Sequence, residues 1–86
     1  MLNIQTHDDI VIRFKETTVL ELYEYDDVEM NDYVEEQWDQ GDKEEVTVLD
    51  VTDYSYTVQF GDSSVAFVPK SFIDVISIND EPVVAE

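Results

Sequence analysis

The sequence predicts a small, mainly β domain, an antiparallel barrel of five to six strands with one short helix inserted at about residues 32–40. Short apolar segments with a two-residue period recur along the chain and are separated by turn residues, a spacing typical of small all-β domains. A chain of 86 residues has room for one modest core. Its hydrophobic content of 43% is too high for a disordered acidic tail.

The predicted strands span residues 10–15, 19–25, 46–51, 56–60, 65–68 and 75–78. A tight connection at 61–64 joins two of them, because Gly, Asp and Ser favour turns. Pro69 ends the strand that follows, and residues 71–74 predict one 3₁₀ turn before the last strand. We expect a single domain over 1–86, with an ordered core at about 10–78 and a polar tail at 79–86.

The helix is predicted from two rows of residues at helical spacing. Apolar residues at i, i+3, i+4 and i+8 form one stripe, and they are Met30, Tyr33, Val34 and Trp38. Carboxylates at i, i+3, i+4 and i+7 form another row, and they are Asp32, Glu35, Glu36 and Asp39. Asp32 and Glu35 have the spacing of a capping box, and Gly41 suits a helix C-cap.

The charge of the chain restricts the classes of partner. There are 22 acidic residues and only 4 Lys or Arg, for a net charge of −18. Fourteen of the acidic residues lie within 21–53, where Lys43 is the only base. Bare nucleic acid and anionic membrane would be repelled, so we expect neither as a direct partner. A basic protein would be attracted.

Catalytic and metal chemistry are not predicted. The chain has no Cys, and its acidic run fails the EF-hand pattern, because a loop begun at Asp27 has Asp32 where Gly is needed and Trp38 where Glu is needed. A barrel of this size has little room for a dry catalytic pocket, so we expect no enzyme, cofactor or metal. The N-terminus lacks the pattern of a signal peptide, which favours a cytoplasmic protein.

The leading functional hypothesis is therefore a phosphate-mimicking acidic surface that blocks the DNA or RNA site of a basic protein. In this hypothesis the carboxylates replace phosphates and Trp38 serves as an apolar anchor. The candidate partner-binding residues are Glu24, Asp26, Asp27, Glu29, Asp32, Glu35, Glu36, Trp38, Asp39, Asp42, Glu44 and Glu45. A homodimer stays open, because doubling the chain would lengthen this surface.

Three segments resemble the SH3-like barrel family. They are ELYEY at 21–25, Gly-Asp at 41–42 with the apolar strand after it, and VAFVPKSFIDVI at 65–76. The resemblance implies a peptide groove formed by Tyr23, Tyr25, Pro69 and Phe72, with Tyr54 or Tyr56 at the position of the family's Trp. The alternative hypothesis is thus a peptide-recognition module for basic or proline-rich segments.

The size, acidity and lack of Cys are also similar to those of the small acidic DNA-mimic inhibitors that bacteriophages use against host DNA-binding proteins. This resemblance implies a role in host takeover, in the host cytoplasm.

Overall fold

The computed structural model describes residues 4–24 and 33–83. These residues form eight strands, namely β1 (Asp9–Phe14), β2 (Thr18–Glu24), β3 (Tyr33–Trp38), β4 (Lys43–Val51), β5 (Ser55–Gln59), β6 (Ser64–Pro69), β7 (Ile73–Ile78) and β8 (Glu81–Pro82). One 3₁₀ helix, Lys70–Phe72, joins β6 to β7. In this part of the chain no helix is long and apolar enough to cross a membrane.

The strands form one antiparallel sheet in the order β3-β2-β6-β5-β4-β1-β7-β8. The mainly β prediction is confirmed, but the predicted barrel of five to six strands is wrong, because the described residues form eight strands in an open sheet that ends at β3 and β8. β8 has only two residues, and β3 carries adjacent carboxylates. In the described residues these two edges are not paired with each other.

The core lies on one face of the curled sheet and follows the alternation of the strands. Ile10, Ile12 and Phe14 of β1 are fully buried, whereas Arg13 between them is exposed. The other strands add their own alternate residues to the same cluster, among them Leu20, Leu22, Val46, Val48, Tyr56, Val58, Ala66, Val68 and Ile73. Residues at the intervening strand positions, such as Arg13 and Phe67, project from the opposite face and are exposed.

The predicted helix at 32–40 is wrong for its described part, because residues 33–38 form strand β3. β3 pairs with β2 from Tyr23↔Tyr33 to Thr18↔Trp38. Tyr, Val and Trp are residues that favour strands. The pairing also provides hydrogen-bond partners for backbone N–H and C=O groups of β2, which a helix at this place would leave unpaired. Two positions of the predicted apolar stripe and carboxylate row, Met30 and Asp32, lie outside the described residues.

Trp38 fixes the end of β3 in the core. Its ring stacks between Phe14 and Phe60, with centroid distances of 5.1 and 5.5 Å. Its indole N–H donates a hydrogen bond of 2.8 Å to Glu44. In a strand that is otherwise exposed, Trp38 is the buried residue, so it anchors the β2–β3 hairpin to the body of the sheet.

The turn from β3 to β4 is also tied to β1. The Gly41 amide donates to the Phe14 carbonyl at 2.8 Å, and the Phe14 amide donates to the Asp42 carbonyl at 2.9 Å. Gly41 has φ +90°, a conformation that L side chains rarely adopt. The glycine predicted as a helix C-cap thus makes a left-handed turn between two strands.

Candidate functional site

A groove opens on the face of the sheet opposite the core, between β2 on one side and β6 with the 3₁₀ helix on the other. Its volume is about 400 Å³, within the usual range for ligand pockets. The lining residues are Val19, Leu20, Glu21, Tyr23, Glu35, Phe67, Pro69 and Phe72. Aromatic rings, a proline and two carboxylates are thus brought together in one concave surface, which we call the groove.

The groove exists because β2 separates from β6. The two strands pair at Tyr23↔Val65 and Glu24↔Ser64, at one end of β2. Before Tyr23, β2 continues beside β3, whereas β6 stays paired with β5 along its whole length. The space between the diverging strands is lined mainly by outward-facing side chains of β2 and β6, and Leu20, whose side chain belongs to the core, borders it as well.

The apolar part of the groove is exposed. Val19 is 52%, Phe67 49% and Phe72 40% accessible to solvent. Tyr23 contacts Phe67 edge to face, with ring centroids 5.8 Å apart, and contacts Tyr33 on the other side at 5.6 Å. These contacts hold Tyr23 in position between β3 and β6.

Two carboxylates border the groove from β2 and β3. Glu21 and Glu35 are direct cross-strand partners, so their side chains project from the same face. The Tyr23 hydroxyl donates a hydrogen bond of 2.9 Å to the Glu21 carboxylate. This bond raises the pKa of Tyr23 above its usual value, and the charge of Glu21 is the main cause of a raised pKa at Tyr33. The negative charge of Glu21 is therefore held beside two tyrosine rings.

Three of the four residues predicted for a peptide groove lie here, namely Tyr23, Pro69 and Phe72. The fourth, Tyr25, lies outside the described residues. Tyr54 is 84% exposed but does not line the groove, and Tyr56 is buried in the core. Sequence reasoning missed Val19 and Phe67. Both belong to strands with apolar residues on both faces, and this pattern could have indicated a second, uncovered apolar surface.

The predicted acidic surface has a different geometry from the one expected. Glu35 and Glu36 are adjacent in a strand and therefore project from opposite faces, so they form no single row of carboxylates. Glu35 faces the groove, and Glu36 is paired with Leu20 on the other face. Four further members of the predicted set, Asp26, Asp27, Glu29 and Asp32, lie outside the described residues.

Several predicted partner-binding residues have structural contacts instead. Asp42 accepts a hydrogen bond of 2.8 Å from the Asp39 amide and closes the β3–β4 turn. Glu44 accepts from the Trp38 indole, and Trp38 itself is only 6% exposed. The prediction that Trp38 is a surface anchor disagrees with this burial. Glu24 and Glu45 are exposed at strand positions.

None of the four Lys and Arg residues lines the groove. Arg13 and Lys15 both contact the Asp74 carboxylate, at 3.3 and 3.7 Å. Lys43 is the cross-strand partner of Arg13. Lys70 lies over the Tyr56 ring, 5.0 Å from its centroid.

By contrast, the described residues of β2 and β3 hold Glu21, Glu24, Glu35 and Glu36 and no base. We call these two strands the acidic hairpin. Comparison of the chain with protein-family models, curated proteins and solved structures finds no match.

Proposed function

We propose that this protein is a non-enzymatic binding protein that captures a basic segment of a partner protein in the groove. The observation that carries the proposal is the groove itself, in which the exposed rings of Phe67 and Phe72 and the half-buried Pro69 line the same surface as the carboxylates of Glu21 and Glu35. Apolar surface of this kind is costly to expose and commonly marks an interaction site.

The two glutamates select the charge of the ligand. Like charges directly opposed across a strand pair destabilise the sheet, and a cation placed between them would relieve this repulsion. Glu21 is held by Tyr23, so the ligand meets a carboxylate that is already oriented. An Arg or Lys side chain fits this end of the groove.

The aromatic end selects the rest of the ligand. Phe67, Pro69 and Phe72 present rigid apolar surfaces, which suit the flat faces of an extended or proline-rich chain. The proposed ligand is therefore an extended segment with a base beside apolar or proline residues. This is the module implied by the SH3-like resemblance, and the groove supports it without depending on homology.

Peptide titration followed by NMR tests the proposal. Arg- and Pro-containing peptides should shift resonances of Tyr23, Phe67 and Phe72, and replacing the peptide's Arg by Gln should weaken binding. Phe72→Ala and Glu21→Lys should each reduce affinity about tenfold or more, because each removes a groove contact.

Asp50→Lys is the control for charge. It makes the same change in net charge as Glu21→Lys at an exposed position outside the groove. Equal losses in Asp50→Lys and Glu21→Lys would show that only the overall charge matters, and the groove would then be excluded as the site.

A second candidate is the DNA-mimic inhibitor, in which the acidic surface as a whole occupies the nucleic-acid site of a basic protein. The supporting observation is the acidic hairpin, which has four carboxylates and no base in its described residues, in a chain of net charge −18. Such a surface would give fast, salt-sensitive association.

Competition separates the two candidates. A mimic is displaced from its partner by duplex DNA and loses binding when Glu35 and Glu36 are both changed to Lys. A groove-binding module that holds a partner by a basic segment outside the partner's DNA site keeps that partner in the presence of DNA and loses it in Phe72→Ala. Partner capture from a lysate, eluted with increasing salt, supplies the natural ligand for both tests.

A further inference from the structure

β3 is an edge strand of the sheet that the described residues form. It is the terminal strand in the sheet order and pairs on one side with β2 at six register positions. Within 4–24 and 33–83, no residue pairs with its other side. An exposed edge offers a row of backbone donors and acceptors to any strand of suitable sequence.

The side chains along this edge are exposed on both faces of the sheet. Tyr33 is 48% and Val34 66% exposed, and as neighbours in a strand they project from opposite faces. Glu35 and Glu36 follow, again one on each face. The edge therefore presents two apolar residues and then two carboxylates, with one of each kind on each face.

The carboxylates determine which strand can add here. A second copy of β3, paired antiparallel about its centre, would place glutamates directly opposite glutamates, which is unfavourable. A basic strand would place a cation opposite each carboxylate. Charge complementarity thus favours a basic segment of another protein over a second copy of this chain.

We propose that β3 is a strand-addition site for a basic extended segment, which joins the sheet antiparallel to it. From its N-terminus, the segment has two basic residues, which lie opposite Glu36 and Glu35. Two apolar residues follow and lie opposite Val34 and Tyr33. Main-chain hydrogen bonds supply affinity, and the four side-chain pairs supply selectivity. The site goes beyond the proposed function. It shares with the groove only Glu35 and the basic character of the partner.

The probe is a blocked nine-residue peptide with Arg-Lys-Val-Val at its centre and Thr on both sides. Bound to the full chain, it should slow amide hydrogen exchange at alternate residues of β3, because neighbouring amides in a strand point to opposite sides. The slowing should be at least about tenfold at saturating peptide. A control peptide of the same sequence, N-methylated at alternate residues, keeps its charge but loses ladder donors, and it should bind at least about tenfold more weakly.

Three variants with the same change in net charge locate the site. Glu36→Lys lies on the edge and faces away from the groove, Glu21→Lys lies in the groove, and Glu81→Lys lies on β8. Only Glu36→Lys should weaken the probe by about tenfold or more. Circular dichroism verifies that each variant is folded, which is expected because all three positions are exposed.

The outcomes distinguish this site from the groove. Unchanged β3 exchange with shifts at Phe67 and Phe72 would overturn strand addition and leave the groove proposal standing. Equal binding of the N-methylated peptide would also overturn strand addition. Protection of β3 that survives Phe72→Ala supports strand addition, even if no peptide is found for the groove.

Discussion

Trp38 offers the sharpest test of how the acidic hairpin is attached to the core. The change is Trp38→Ala, which removes a ring stacked on both Phe14 and Phe60 and breaks the hydrogen bond to Glu44. Large-to-small substitution of a buried aromatic costs about 3–5 kcal/mol. The free energy of unfolding is roughly 0.05–0.15 kcal/mol per residue in globular proteins, which gives about 4–13 kcal/mol for a chain of this length. Trp38→Ala should therefore remove a large part of the free energy of unfolding.

Urea unfolding followed by circular dichroism measures this loss. Trp38→Phe keeps an aromatic ring but loses the bond to Glu44, so a smaller cost of about 1–2 kcal/mol is expected. Tyr54→Ala is the matched control, because that ring is 84% exposed and its removal should change stability by less than about 0.5 kcal/mol.

A cost below about 1 kcal/mol for Trp38→Ala, similar to that of Tyr54→Ala, would contradict this prediction. It would mean that the stack does not hold the hairpin in solution. If partner binding were then lost in Trp38→Phe without a loss of stability, the sequence-based hypothesis of Trp38 as a binding anchor would be restored.

Three other predictions concern backbone, titration and charge. Gly41→Ala should cost about 1–2 kcal/mol in urea unfolding, because φ is +90° while no atom lies within 4 Å of the new Cβ. Gly61→Ala, also in open space but without a positive φ, should change stability by less than about 0.5 kcal/mol; equal costs would contradict the conformational explanation. Tyr23 should titrate above its usual pKa of 10.0, and Glu21→Gln should lower that pKa, as followed by tyrosinate absorbance or NMR. Because the pKa of Tyr23 is raised in the folded state, the stabilising contribution of its hydrogen bond to Glu21 is complete below pH 10 and is lost as the pH rises through the folded-state pKa. Finally, the melting temperature should be higher in about 150 mM NaCl than in about 10 mM NaCl, because salt screens the repulsion within a chain of net charge −18. An unchanged melting temperature would contradict this expectation.

The strands that bury one face could be predicted from the sequence. Ile10, Ile12 and Phe14 alternate with residues that are more accessible to solvent, and the same period recurs in β5 around Tyr56 and Val58. Burial on one face imposes this period, so the structure and the pattern agree there. The turn at 61–64 was also predicted, from its Gly-Asp-Ser-Ser segment, whereas Gly41 was assigned to a helix C-cap instead of a turn between strands.

β3 could not be predicted in the same way, because it has almost no buried face. Five of its six residues are exposed, so no hydrophobic period marks it as a strand. The helical spacing of Tyr33, Val34 and Trp38 was a coincidence within a short window, and pairing with β2 decided the conformation. Once the conformation changed, Glu35 and Glu36 moved to opposite faces, and the expected carboxylate row was lost.

The groove was predicted in part for a related reason. Tyr23, Pro69 and Phe72 were predicted as groove residues from the SH3-like resemblance, which assigns them by their place in sequence motifs and requires no structure. Phe67 and Val19 have no such signal, and they face the groove only because β2 leaves β6 after two paired positions. Divergence of two strands depends on long-range pairing, which local sequence patterns do not report.

That divergence has a consequence for selectivity. β2 is fastened near one end by its pairing with β6 at Tyr23 and Glu24, and near the other through its pairing with Trp38. Between these ends β2 is paired with β3 and not with β6, so no backbone ladder sets the distance from the middle of β2 to Phe67. Glu21, by contrast, is oriented by the hydrogen bond from Tyr23. For the ligand proposed above, we therefore expect strict discrimination by charge and tolerance of apolar side chains that differ in size.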